Sequence, residues 1–212
     1  MINYKELIKN FTEEDFALKR VNMHIHTNFS DGEGDFASLV EQAEIKGYKY
    51  IAITDHNTMN GYRECQSANK PILIPGVEFD VWCGTVFLHL LAYGVDKDCP
   101  ELQKFFARNK RETEVDIIRL FNNRNLKDLI AAIHKAGGIA VWAHPACCWC
   151  ISIERFAKKL MKLGLDGIES YYPYPRFRRF LKFHRAGTAK KAAEKLNLIK
   201  TGGTDCHKTV LH

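Results

Sequence analysis

Val21-Asn22-Met23-His24-Ile25-His26, with Ser30-Asp31-Gly32 one short loop later, is the stretch from which the fold and its chemistry are read. Val21 to Ile25 has the composition of a buried strand. Side chains on a strand repeat every second residue, so His24 and His26 share one face. Two imidazoles on one face, with a carboxylate in the following loop, form a ready metal site, because neutral histidine nitrogen and carboxylate oxygen suit divalent transition metals.

Outward from this stretch the chain alternates between strand and helix patterns. Strands are expected at Val21–Ile25, Tyr50–Thr54, Pro71–Glu78, Thr85–Tyr93, Ile139–Ala143, Asp166–Ser170 and Leu198–Thr201. Helical spacing is seen over Phe36–Lys46, Asn60–Asn69, Pro100–Asn122, Asn125–Ala136, Ile153–Leu163 and Arg178–Leu196. Thr85–Tyr93 reads as antiparallel to the strand before it, through the Trp82-Cys83-Gly84 turn. Elsewhere the alternation argues for parallel strands joined by helical crossovers. Polar clusters fall at strand C-terminal ends along almost the whole chain, and a closed sheet brings its first and last strand ends together. The expected architecture is therefore an α/β, distorted TIM-like barrel.

Length and composition set the outer bounds. The 212 residues suit one domain with one core, and 46% apolar with 26% charged residues is ordinary for a soluble globular chain. No apolar run approaches the ~20 residues of a membrane span, and the first 19 residues lack the apolar stretch of a signal peptide. Seven cysteines, an odd number, are expected to be free thiols in a reducing, cytoplasmic setting. Cys147-Cys148-Trp149-Cys150 lacks the second ligand pair of a zinc knuckle and reads as a loop of reduced cysteines. The net charge of +6 owes much to Arg176, Arg178, Arg179, Lys182, Arg185, Lys190 and Lys191. That segment is either a phosphate-attracting patch or the solvated face of a helix.

Nine histidines are present. His24, His26, His56, His89, His144 and His207 sit in the strand-end clusters with Asp31, Glu78 and Asp205. His134, His184 and His212 lie outside them. Burying so many ionisable groups together is costly unless they pair or bind metal.

These motifs resemble those of the PHP (polymerase and histidinol phosphatase) family of metal-dependent phosphoesterases. His24-x-His26-Thr27 with Ser30-Asp31-Gly32 looks like its first motif, and Ile53-Thr54-Asp55-His56-Asn57-Thr58 its second. Pro75-Gly76-Val77-Glu78 with Leu88-His89 resembles the third. Ala143-His144-Pro145 and Gly202-Gly203-Thr204-Asp205-Cys206-His207 follow, so the likeness spans roughly residues 20–208. It implies a seven-stranded distorted barrel, (β/α)7, as a single domain over residues 1–212. The short helical segment 100–122 would stand in place of a larger lid.

The resemblance also implies two or three divalent ions (Mn, Fe or Zn). His24, His26, Glu78 and Asp205 would hold one. Glu78 would bridge to a second, held also by His89 and His144, while Asp31, His56 and His207 would hold a third. Clustered divalent ions bind phosphate oxygens and activate water, so the expected function is hydrolysis of a small phosphorylated metabolite or nucleotide, as monoester or diester. Glu78, Asp55 and His207 are the expected catalytic residues, Asp55 orienting a ligand or accepting a proton. Arg176 and Arg178 are the expected phosphate contacts. Asp80 shares the strand face of Glu78 but lies outside the motif. The alternatives are a metal-dependent amidohydrolase and a nucleic-acid-processing accessory module. No membrane partner is expected, nucleic acid is not favoured, and the oligomeric state is open.

Overall fold

The polar strand ends decide where pairing stops in this protein. Its computed structural model describes residues 2–64, 72–173, 184–185 and 187–211. Two short helices lead in, α1 (Tyr4–Lys9) and α2 (Glu13–Ala17), the second closed by a reciprocal Thr12–Asp15 capping box. Then come β1 (Val21–Asn22), α3 (Phe36–Ile45), β2 (Tyr50–Ile51), α4 (Gly61–Glu64) and β3 (Ile72–Leu73). β1, β2 and β3 form a small parallel sheet, with Val21 opposite Tyr50 and Tyr50 opposite Ile72. α3 buries Phe36, Leu39, Val40 and Ala43 against it. The Asp35 side chain caps its start, and Gly47, at φ +77°, follows its end.

The larger sheet runs β4 (Gly76–Cys83), β5 (Val86–Tyr93), β6 (Ile139–Trp142), β7 (Gly167–Tyr171) and β8 (Ile199–Gly202), paired in that order. β4, β5 and β6 are antiparallel neighbours, while β6, β7 and β8 are parallel. Gly84, at φ +67°, opens the turn between β4 and β5, a position where a side chain is disfavoured. Between β5 and β6 lie α5 (Pro100–Gln103), α6 (Arg111–Glu114), α7 (Asp116–Leu120) and α8 (Leu126–Lys135). α9 (Ile153–Met161) and α10 (Gly187–Lys195) pack on each other and share the main apolar core with α8.

The expected closed barrel is not what forms. The strands make two separate sheets, three-stranded parallel and five-stranded mixed, joined by the single bridges Ile25–Cys206 and His56–Glu78. The ladders end where the polar motifs begin. Asn57, His144 and Asp205 all hold positive φ, at 56°, 24° and 50°, which ends extended pairing locally. Gly203 sits so close to His24 that a Cβ on it would lie 2.4 Å from the His24 Cβ. His24 to His26 therefore takes isolated bonds to the loop after β8, such as His26 N to Cys206 O at 2.9 Å, and no continuous ladder forms.

Other differences are local. The expected third strand is divided at Pro75, which has no N–H to give a ladder. The expected helix over residues 100–122 is three short helices. Its backbone is tied elsewhere, with Ala107 N bonded to Asn57 O at 2.8 Å and Asn57 Nδ2 to Glu112 O at 3.1 Å. Arg176, Arg178 and His212 lie outside the described residues.

Candidate metal centre

The strand-end loops bring four ligand atoms into one cluster. His24 Nε2 lies 3.1 Å from His26 Nε2, and each is 3.2 Å from Glu78 Oε2. Asp205 Oδ1 is 3.4 Å from His24 Nε2 and 3.2 Å from His26 Nε2. A tetrahedral ion with ligands at roughly 2.0–2.1 Å spaces its donors about 3.3 Å apart. The four residues are buried or nearly so. Glu169 Oε1 accepts from the Nδ1 side of His24 at 2.9 Å, so in the neutral ring the lone pair is on Nε2, facing the other donors. This donor set fits a divalent cation.

Two further groups adjoin the first. Asp31, His56 and His207 converge with His26, with His207 Nε2 3.3 Å from Asp31 Oδ1. His207 Nδ1 donates to the Asp205 carbonyl at 2.9 Å, which turns Nε2 toward that group. Glu78 Oε1 faces His89 Nδ1 at 3.1 Å and His144 Nε2 at 3.2 Å. His56 Nε2 is 3.4 Å from Glu78 Oε2, and the compact cluster here is His56, Glu78 and His89. The two oxygens of Glu78 thus point into different groups. All nine residues expected as metal ligands lie in one connected constellation.

The charges follow from this packing. Burial opposes ionisation of Glu78 and Asp205, yet the surrounding histidines hold both carboxyls well below their ordinary range. Burial likewise opposes the charge on His26 and His144. Hydrogen bonds and nearby carboxylates outweigh it and raise His26 to about 9 and His144 to about 10. At His56 burial wins over Asp80 and Glu78 and lowers the value. Each ligand group therefore holds at least one ionised carboxylate, as a cation site must.

Asp55 is buried, next in sequence to His56. Its oxygens accept from Thr27 N, Thr27 Oγ1 and Ser30 Oγ, all at 2.7 Å. These are the contacts of an anchor for the loop that carries Asp31. Gly32 completes that loop, since a Cβ there would lie 2.5 Å from the His26 carbonyl.

Sequence reasoning missed four residues. Glu169 bonds His24 and accepts from His144 N at 2.8 Å, and a lone carboxylate within the apolar run Gly167-Ile168-Glu169 was its signal. Asp80 is fully buried, 3.2 Å from His89 Nε2 and 3.4 Å from His56 Nδ1, so it belongs to the centre. Tyr172 donates its hydroxyl to Asp205 Oδ2 at 2.6 Å. Arg119 donates to Asp31 Oδ2 at 2.9 Å, across 88 residues of sequence, with no local signal. His134 and His184 lie outside the centre, His134 on Asp166 at 2.7 Å and His184 donating to Cys150 O at 2.7 Å.

Glu169→Gln keeps the shape but removes the charge that orients His24. The expected result is metal affinity about 10- to 100-fold weaker, read by titrating metal-stripped protein with Mn2+. Unchanged affinity would rule out this role.

The PHP domain family model matches residues 22–163. The chain is 22% identical to the phosphoribosyl 1,2-cyclic phosphate 1,2-diphosphodiesterase of Eggerthella lenta, over 88% of this chain and 93% of that one. It is 27% identical to the 3′,5′-nucleoside bisphosphate phosphatase of Chromobacterium violaceum, over 69% of this chain and 51% of that one. Its fold resembles that of a candidate metal-dependent phosphoesterase from Bifidobacterium adolescentis, with a TM-score of 0.71 at 22% identity over 88% of this chain and 87% of that one. By its family match and its motifs, the chain belongs to the PHP domain family.

Proposed function

We propose that this chain is a metal-dependent phosphoesterase that hydrolyses a small phosphorylated metabolite or nucleotide, using two or three divalent ions (Mn, Fe or Zn). The observation that carries the reading is the four-donor cluster of His24, His26, Glu78 and Asp205 at ion-sized spacing. His89 and His144 share Glu78 with it, and Asp31, His56 and His207 form the third group. Bound divalent ions would neutralise phosphate oxygens, acidify water and stabilise the leaving oxygen.

The chain's own residues do the positioning. Glu78 holds two groups in register through its separate oxygens, and Glu169 and the Asp205 carbonyl set the tautomers of His24 and His207. Asp55 holds the loop that carries Asp31. Arg176 and Arg178 are proposed as the phosphate contacts, a guanidinium fork matching two phosphate oxygens. We assign residues 1–212 to a single PHP domain, with segment 100–122 as a reduced lid. A cavity of about 330 Å³ opens on the centre itself, lined by His89 and His144 together with Phe87, Leu88, Cys147 and Trp149. Its size suits the remainder of a small substrate. No helix among the described residues is long and apolar enough to cross a membrane.

The test is a panel of phosphomonoesters, phosphodiesters, nucleotides, amides and lactones, run on protein whose metal content is measured by elemental analysis. Turnover of a phosphate ester with two to three ions per chain is expected. Hydrolysis of an amide or lactone alone would replace this reading with an amidohydrolase.

A further inference from the structure

α7 packs on the protein in an unusual way. Its only buried residue is Arg119, while Ile117, Leu120 and Phe121 at its end are exposed. A helix normally docks through an apolar face, and this one inserts a charge. The Arg119 side chain is 7% exposed. Nη1 donates to Asp31 Oδ2 at 2.9 Å and to the Thr113 carbonyl at 3.4 Å, and Nη2 to Asp116 Oδ1 at 2.5 Å. Nε has no hydrogen-bond partner and lies 3.8 Å from Asp80 Oδ2. Trp82 Nε1, donating to Leu120 O at 2.8 Å, adds one further tie.

Asp31 divides its oxygens between these roles. Oδ2 receives Arg119 and also lies 3.7 Å from His56 Nε2, while Oδ1 faces His207 Nε2 at 3.3 Å and His26 Nδ1 at 3.7 Å. A carboxylate has lone pairs for both tasks. Repulsion between a guanidinium and a nearby divalent ion is offset here, because Asp31, Asp80 and Asp116 all face Arg119. A planar fork that spans two carboxylates fixes orientation as well as charge, which an ammonium does not do.

We propose that Arg119 is a positioning residue that fastens the segment 107–121 to the metal centre and aims Asp31, so that docking of the segment and binding of the ion at Asp31, His56 and His207 support each other. This rests on the metal-dependent reading above. Mutual support of two events through one residue is reciprocal, so loss of the latch weakens both.

The experiment titrates metal-stripped wild type, Arg119→Met and Arg119→Lys with Mn2+ by calorimetry, and follows amide hydrogen exchange over residues 107–121. Arg119→Met is expected to weaken one Mn2+ site by about tenfold or more, to leave the tighter binding unchanged, and to speed exchange across 107–121. Arg119→Lys is expected to recover part of the affinity. Should Arg119→Met fail to fold, Arg119→Lys carries the test, and affinity equal to wild type in it overturns the proposal. Unchanged or stronger Mn2+ binding in folded Arg119→Met overturns it also, as does unchanged exchange. Wild type that binds no Mn2+ fails the metal-dependent reading itself, a result distinct from wild type that binds Mn2+ just as Arg119→Met does.

Discussion

Glu78→Gln is expected to lower phosphate-ester hydrolysis by at least ~10³-fold, because metal-ion charge stabilisation supplies several kcal/mol and each 1.36 kcal/mol is tenfold in rate. The substitution keeps the size of the side chain. It replaces one oxygen with an NH2 that donates and cannot ligate, and it removes a full negative charge. Glu78 is fully buried, with one oxygen toward His24, His26 and His56 and the other toward His89 and His144. An amide in either orientation therefore puts an NH2, which cannot ligate, where an ion shared with these histidine nitrogens needs a carboxylate oxygen. The measurement is kcat and metal stoichiometry on the same preparation. A variant with all its ions and a rate within tenfold of wild type would show that Glu78 does not join the groups.

Asp80→Asn makes a useful contrast. From sequence alone Asp80 stands apart from the motif, although period-two alternation puts it on the face of Glu78. The structure places it between His56, His89, Asn57 and Arg119. Strand periodicity was enough to put it on the correct face. It was not enough to show which helix would deliver a partner there.

The same limit explains what else was legible. His24 and His26 are visible because two ligands two residues apart need only a strand to converge. β4 to β8 are visible because apolar runs and the Gly84 turn are local signals. The failure of the barrel to close was not visible. It depends on whether a ladder continues past His24, Asp55 and Asp205, and the positive φ of Asn57 and Asp205 is set by loop packing rather than hydropathy. Arg119 was hidden for a related reason. It reads as one more charge in a charged segment, and its burial depends on Asp31, 88 residues away. Glu169 is the intermediate case, with its acid visible and its two histidine partners not.

His144→Ala is expected to remove or severely weaken one bound ion and to slow hydrolysis by at least ~10²-fold, by the same conversion of lost charge stabilisation into rate. His144 Nε2 faces Glu78 Oε1 at 3.2 Å, beside His89, and alanine leaves that oxygen one nitrogen fewer to share an ion with. The fold should survive. His144 holds φ 24°, a strained value for any side-chain-bearing residue, and its N–H is tied to Glu169 Oε2 at 2.8 Å. That bond uses the backbone, so it persists in the alanine variant, and alanine suffers no greater strain there. His134→Ala is the matched control. His134 is partly exposed and pairs with Asp166 on the surface, a contact worth roughly 1 kcal/mol or less. It should leave metal content and rate unchanged. Elemental analysis, kcat and thermal unfolding on the two variants separate the cases. Equal metal content in both, with equal activity, would remove His144 from the centre and leave Glu78 bridging through His89 and His56 alone.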